Sequence, residues 1–167
     1  VTFDKPDIKK TGEVQTDEQT GKVKSILYTL TLSGVSDTPV SIKDTFDTSL
    51  LEIDTGSTDY RHMKIWGGNQ WDQRFGETPV SYSETSDGVI ITANTVPRMG
   101  NGPFYSHYKI QYFLKLKDGV DLDALAIANG GEHDLTNTAK WGDHESSYTY
   151  KTVYDYFDKK LLNENEL

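Results

Sequence analysis

Three polar residues stand in rows that strand alternation would otherwise fill with apolar side chains. Lys10 follows Ile8 at strand spacing, Asp44 lies between Ile42 and Phe46, and Asn137 lies between Leu135 and Ala139, with Trp141 further along the same face. A buried amide or charge without partners costs a few kcal/mol or more, so each of the three needs something polar to meet it. Meeting one another is the economical solution, and it has a chemical consequence. Desolvation disfavours charge, which lowers the pKa of an amine and raises that of a carboxylic acid. A neutral Lys10 is then a nucleophile. A protonated Asp44 can hydrogen-bond to the Asn137 side-chain carbonyl, polarise it and carry protons. Attack on the Asn137 side-chain carbon expels ammonia and leaves a Lys–Asn isopeptide bond, made once within the folded molecule.

Strands must position these groups, and the sequence supplies them. Val1 to Thr11 holds Ile8 and Lys10, with Lys9 pointing the other way. After the loop Asp17–Gly21, Val23 to Leu32 puts Ile26, Tyr28, Leu30 and Leu32 on one face. Gly34 to Pro39 is a turn into Val40–Phe46, which carries Asp44, and Leu50, Leu51 and Ile53 form a short apolar patch. Tyr60–Trp66 and Val80–Ser83 are weaker strand candidates, and Ser86-Asp87-Gly88 is a hairpin turn into Val89–Ala93. Gly67–Asp72 and Pro97–Pro103 read as long surface loops, of a length that is uncommon without a function. Tyr108, Ile110, Tyr112, Leu114 and Leu116 line one face of a long strand. Asp121–Ala128 is the one convincing helix, with Asp121 as N-cap and Asn129-Gly130 as its stop. The Asn137 strand follows, then a tyrosine-rich strand from Ser147 to Phe157.

Composition agrees with β-structure: Tyr, Thr, Val and Ile are frequent, and Met is scarce. The 167 residues suffice for one domain with a substantial core. Cysteine is absent, so there is no disulfide, thiolate metal site or thiol nucleophile. A net charge of −9 argues against a nucleic-acid partner. No apolar run approaches membrane-spanning length and no signal peptide is evident, so targeting and anchoring signals are expected outside this segment.

Ile-Lys-Lys-Thr-Gly at 8–12, Ile-Lys-Asp-Thr-Phe at 42–46 and Leu-Thr-Asn-Thr-Ala at 135–139 resemble the isopeptide-forming β-sandwich domains of Gram-positive surface adhesins and pilins, of the collagen-adhesin CnaA-like type. In that family the lysine, aspartate and asparagine come in the same order, at similar spacing. The resemblance covers both ends of the chain and not its middle. It implies an all-β, immunoglobulin-like β-sandwich with one short helix, occupying residues 1–157, and a polar tail or linker at 158–167. It also implies an extracellular cell-wall or cell-surface setting and a structural or adhesive role without a turnover enzyme or cofactor. The partners implied are neighbouring domains of the same surface protein and a host extracellular-matrix protein or glycan. Lys10 and Asn137 would be the cross-linked pair and Asp44 the proton-transfer acid. Lys9 is the competing nucleophile, and Asn94 imitates the terminal motif but sits off the apolar face.

Plainer readings stand beside these. Lys10 can be an edge-strand lysine that discourages pairing, and Asp44 and Asn137 can be turn residues bonding their own backbone. Four histidines (His62, His107, His133, His144) lack ligand spacing, and Asp118, Asp121 and Asp123 read as a loop and helix cap, so no metal site is expected. Aromatics cluster in or beside the long loops, and Trp66, Trp71 and Tyr105 are the ligand-binding candidates among them. They support an alternative function, an extracellular carbohydrate-binding module, unless the rings simply fill the core under the loops.

Overall fold

Polar–apolar alternation builds antiparallel strands whose apolar rows face each other across two sheets. The computed structural model describes residues 5–70, 73–100 and 102–154. Within them run β1 (Asp7–Thr16), β2 (Val23–Ser33), β3 (Val40–Thr45), β4 (Leu51–Ile53), β5 (Lys64–Gly68) and β6 (Phe75–Pro79). They are followed by β7 (Ser81–Thr85), β8 (Gly88–Ala93), β9 (His107–Leu116), helix α1 (Leu122–Ala128), β10 (Glu132–Trp141) and β11 (His144–Val153). The first sheet has the order β1-β2-β9-β5-β6, with β4 also paired to β9; the second has the order β11-β10-β3-β8-β7. The result is an all-β sandwich with one short helix.

The core lies between the sheets. Ile26, Tyr28, Leu30 and Leu32 of β2 and Tyr108, Ile110, Tyr112 and Leu114 of β9 face Val40 and Ile42 of β3, Val89 and Ile91 of β8, and Leu135 and Ala139 of β10. A helix of seven residues is too short to persist alone and depends on its cap and its packing. The Asp121 side chain accepts from the amides of Asp123 and Ala124, and Leu122 and Ala126 are buried. Asp121 also pairs with Lys22 at 2.9 Å. The cap is its role in the fold.

Several boundaries differ from expectation. β1 continues past Thr11 to Thr16, because pairing with β2 carries it through Gly12 and Glu13, which show no apolar alternation. Tyr60–Met63 form turns instead of strand, and Met63 has φ 57°. Gly67 and Gly68, expected in a loop, are buried in β5. A Cβ on Gly67 would lie 2.3 Å from the Tyr105 ring, so the strand must be bare there. β6 was not foreseen, since Phe75–Pro79 is exposed and has no apolar rhythm. β11 begins at His144 and runs to Val153; Phe157 and the tail 158–167 lie outside the described residues.

Candidate functional site

β1 belongs to the first sheet, β3 and β10 to the second, and their inward rows bring Lys10, Asp44 and Asn137 together. Asp44 pairs with Ala139 in the β3–β10 register, which sets Asn137 two residues along on the same face. On the outer side of β10, hydroxyl pairs hold that strand to β11: Thr136 with Thr149 at 2.9 Å, and Thr138 with Ser147 at 2.7 Å. At the corner where the sheets meet, the Lys10 amide donates to Ser146 Oγ at 2.9 Å, tying β1 to β11. Lys10 is 4% exposed, and Asp44 and Asn137 are fully buried.

One carboxylate holds both partners. Lys10 Nζ donates to Asp44 Oδ1 at 2.9 Å, and Asn137 Nδ2 donates to Asp44 Oδ2 at 3.2 Å. The sequence suggested a different contact, Asp44 donating to the Asn137 carbonyl. Instead Asn137 Oδ1 is buried without a partner. Interchanging the ends of that amide would set the carbonyl on Asp44, which suits a protonated acid, whereas the arrangement found suits a carboxylate.

Tyrosines complete the enclosure, and sequence reasoning missed them. Lys10 Nζ also donates to the Tyr112 hydroxyl, and lies 4.4 Å from the Tyr28 ring centroid and 5.0 Å from that of Tyr112. Tyr28 and Tyr112 stack at 5.7 Å, and Tyr148 meets Tyr28 edge-on at 6.0 Å. Tyr148 faces Asn137 across the β10–β11 pair and covers Gly12, where a Cβ would lie 2.4 Å from its ring. The inward rows placed Tyr28 and Tyr112 in the core, but an aromatic ring does not interrupt an apolar row as the triad residues do.

Burial sets the electrostatics. It pulls the Lys10 pKa below the ordinary 10.5, with Asp44 acting in the opposite direction through its charge and hydrogen bond. Burial raises the pKa of Tyr112 and of Tyr28, and the nearby Asp44 charge adds to both shifts. Asn137 opposes the Tyr28 shift, although the Tyr28 hydroxyl makes no hydrogen bond of ordinary geometry. Burial thus weakens the hold of the Lys10 amine on its proton.

The other candidates do not converge. Lys9 is exposed on the opposite face of β1, and Asn94 is exposed after β8. Trp66 is 5% exposed and lies under the Arg74 guanidinium at 5.3 Å, so it offers no open ring for stacking on a ligand. Trp71 lies outside the described residues. Tyr105 is half-buried, packed on Phe75 and Tyr108, and lines a groove of about 680 Å³ with Arg98 and Phe104. His62 accepts from the Phe113 amide at 3.0 Å, a structural bond. Among the described residues no three acidic or histidine side chains group as metal ligands, and no helix is long and apolar enough to cross a membrane.

No protein-family model matches the chain, and no curated protein matches it by sequence. Among solved structures it is similar to the N-terminal domain of the Streptococcus gordonii adhesin Sgo0707, with 14% identity and a TM-score of 0.48 over 90% of this chain and 33% of that one. It is also similar to the full-length RrgB pilus protein from Streptococcus pneumoniae, with 13% identity and a TM-score of 0.46 over 84% of this chain and 23% of that one. The chain thus spans a third or less of the length of these two proteins.

Proposed function

We propose that this chain is a structural or adhesive β-sandwich domain of a bacterial cell-surface protein, and that it cross-links itself between Lys10 and Asn137. The proposed domain includes the described strands from Asp7 to Val153. The carrying observation is that one buried carboxylate, Asp44, holds the Lys10 amine on one oxygen and the Asn137 amide on the other.

The chemistry follows from that pairing. Lys10 gives its proton to Asp44, the Asn137 amide turns over so that its carbonyl meets the protonated Asp44, and the neutral Nζ attacks the polarised Asn137 Cγ. A proton moves from the attacking nitrogen through Asp44 to the departing nitrogen. The Cγ–Nδ2 bond breaks, ammonia leaves, and an Nζ–Cγ amide remains. Rigid strands supply the proximity, and Tyr28, Tyr112 and Tyr148 limit the access of water. The bond would close a loop of well over a hundred residues, stabilising the fold by on the order of 5 kcal/mol by analogy with disulfides. It would also tie an early strand to a late one, so that tension on the chain does not unzip the sheets. A surface domain under shear needs that property.

Intact-protein mass spectrometry tests the proposal. The purified chain is expected to be one ammonia lighter than its sequence mass, and Asp44→Ala to restore the full mass. A full mass for the unaltered chain would exclude the cross-link in that protein.

A further inference from the structure

Two buried polar atoms of the site lack a hydrogen-bond partner among the described residues: Asn137 Oδ1 and the Tyr28 hydroxyl. Both residues are fully buried, so neither atom turns to solvent. Unpaired buried groups cost stability, and two in one site ask for a reason. The strands fix where the Tyr28 ring lies. Tyr28 stands opposite Gly12 of β1 and Tyr112 of β9 in the first sheet. Its ring stacks on Tyr112 and meets Tyr148, the residue opposite Asn137, edge-on at 6.0 Å. The Lys10 amine lies 4.4 Å from the centre of the same ring. The hydroxyl therefore belongs to the enclosure around Lys10, Asp44 and Asn137.

The same surroundings set its protonation. Burial, first, and then the Asp44 charge raise the Tyr28 pKa, so the phenol keeps its proton. Asn137 acts in the opposite direction. A neighbouring N–H lowers a phenol's pKa by stabilising the phenolate, so the amide turns its NH₂ end towards the hydroxyl. That end gives the phenol proton nothing to bond to. Turning the amide over, the step that brings its carbonyl to protonated Asp44, replaces the NH₂ with an acceptor.

We propose that the Tyr28 hydroxyl is a second donor to the Asn137 carbonyl oxygen, joining protonated Asp44 in an oxyanion site that the turned amide completes. This role rests on the Lys10–Asn137 cross-linking reaction proposed above. As the neutral Lys10 Nζ bonds to Cγ, the carbonyl π pair moves onto Oδ1, and both donors meet the charge there. When that pair returns, the Cγ–Nδ2 bond breaks, and ammonia leaves with the proton shed by Nζ. Tyr28 keeps its own proton throughout. Its hydroxyl is unpaired in the resting molecule because its acceptor arrives only with the reaction, as suits a donor aimed at developing charge.

Tyr28→Phe removes the hydroxyl and keeps the ring. The full chain is made by cell-free synthesis, synthesis is stopped, and the intact mass is read at intervals after acid quenching. The unaltered chain should lose ammonia, and Tyr28→Phe should do so about 100-fold more slowly, as for loss of one oxyanion donor. Urea midpoints in a Lys10→Met background, which cannot cross-link, separate this effect from a folding defect. Adding Tyr28→Phe there should leave the midpoint unchanged or raise it, since an unpaired hydroxyl is removed. Equal rates for Tyr28→Phe and the unaltered chain would overturn the role of Tyr28 and leave the cross-link standing. A midpoint lowered by Tyr28→Phe would make the hydroxyl structural and overturn the role as well. An unaltered chain that keeps its full mass would remove the cross-link itself, and the role of Tyr28 with it.

Discussion

Lys9 and Lys10 are adjacent in β1, identical in type, and in opposite surroundings. Lys10 points between the sheets, where Asp44, Tyr28 and Tyr112 surround its amine and burial pulls its pKa down. Lys9 points out and lines a polar cavity with Arg74, Lys109 and Gln111. On a pleated strand the face decides the chemistry, because successive side chains alternate between protein interior and water. Inside, burial lowers the pKa of the lysine, as the proposed cross-link requires. Outside, a lysine faces water and other polar side chains. A one-residue slip of β1 against β2 would exchange the two roles.

Removing the acid from each face should break the symmetry most strongly. Asp44→Ala leaves the Lys10 amine buried without its countercharge and is expected to cost about 3–5 kcal/mol, in addition to the stabilisation lost with the cross-link. Glu13→Ala, on the outer face, should leave the unfolding midpoint nearly unchanged. Denaturant titration of both variants measures the contrast, and equal losses would refute it.

Exchanging the lysines is the next largest effect. Lys10→Met should retain the full sequence mass and lose on the order of 5 kcal/mol with the missing cross-link. Lys9→Met should still lose ammonia and melt like the unaltered chain. The reverse pattern would make Lys9 the nucleophile.

Gly12→Ala tests the closure over the site. The new methyl would meet the Tyr148 ring at 2.4 Å, so the ring must move away from the buried triad. A loss of about 1–3 kcal/mol is expected, as for overpacking elsewhere, visible as a lower melting temperature.

The smallest effect is on pH dependence and needs a chain that cannot cross-link, such as Asn137→Ala. Lys10 has a lower pKa folded than unfolded, so between its folded value and 10.5 the unfolded chain binds the extra proton. Stability should therefore rise with pH across that window and be level below it. Above the ordinary tyrosine value of 10.0, the raised pKa values of Tyr28 and Tyr112 act in the opposite sense, and stability should fall. Urea midpoints from pH 7 to 11 follow both limbs, and a flat profile up to pH 10 would leave Lys10 without a depressed pKa.

How much was legible in the sequence depended on whether a residue interrupts a pattern. Lys10, Asp44 and Asn137 stood out because charged or amide groups break apolar rows, and β2, β3, β9 and β10 were readable from the rows themselves. Tyr28 and Tyr112 passed as ordinary core residues, since an aromatic ring fits an apolar row and its hydroxyl is invisible to periodicity. Gly67 and Gly68 carry no side chain with which to mark a face, so their burial depends on Tyr105 and Gln73 packing against them from distant chain. Trp66 looked like a loop aromatic because the Arg74 that covers it becomes its neighbour only after β5 and β6 pair.

The central claim concerns one covalent bond, and tandem mass spectrometry of a tryptic digest tests it most directly. The expected result is a branched peptide joining the Lys10 segment to the Asn137 segment, one ammonia lighter than the two together, with no cleavage after Lys10. Separate unmodified peptides, with trypsin cutting after Lys10, would contradict it.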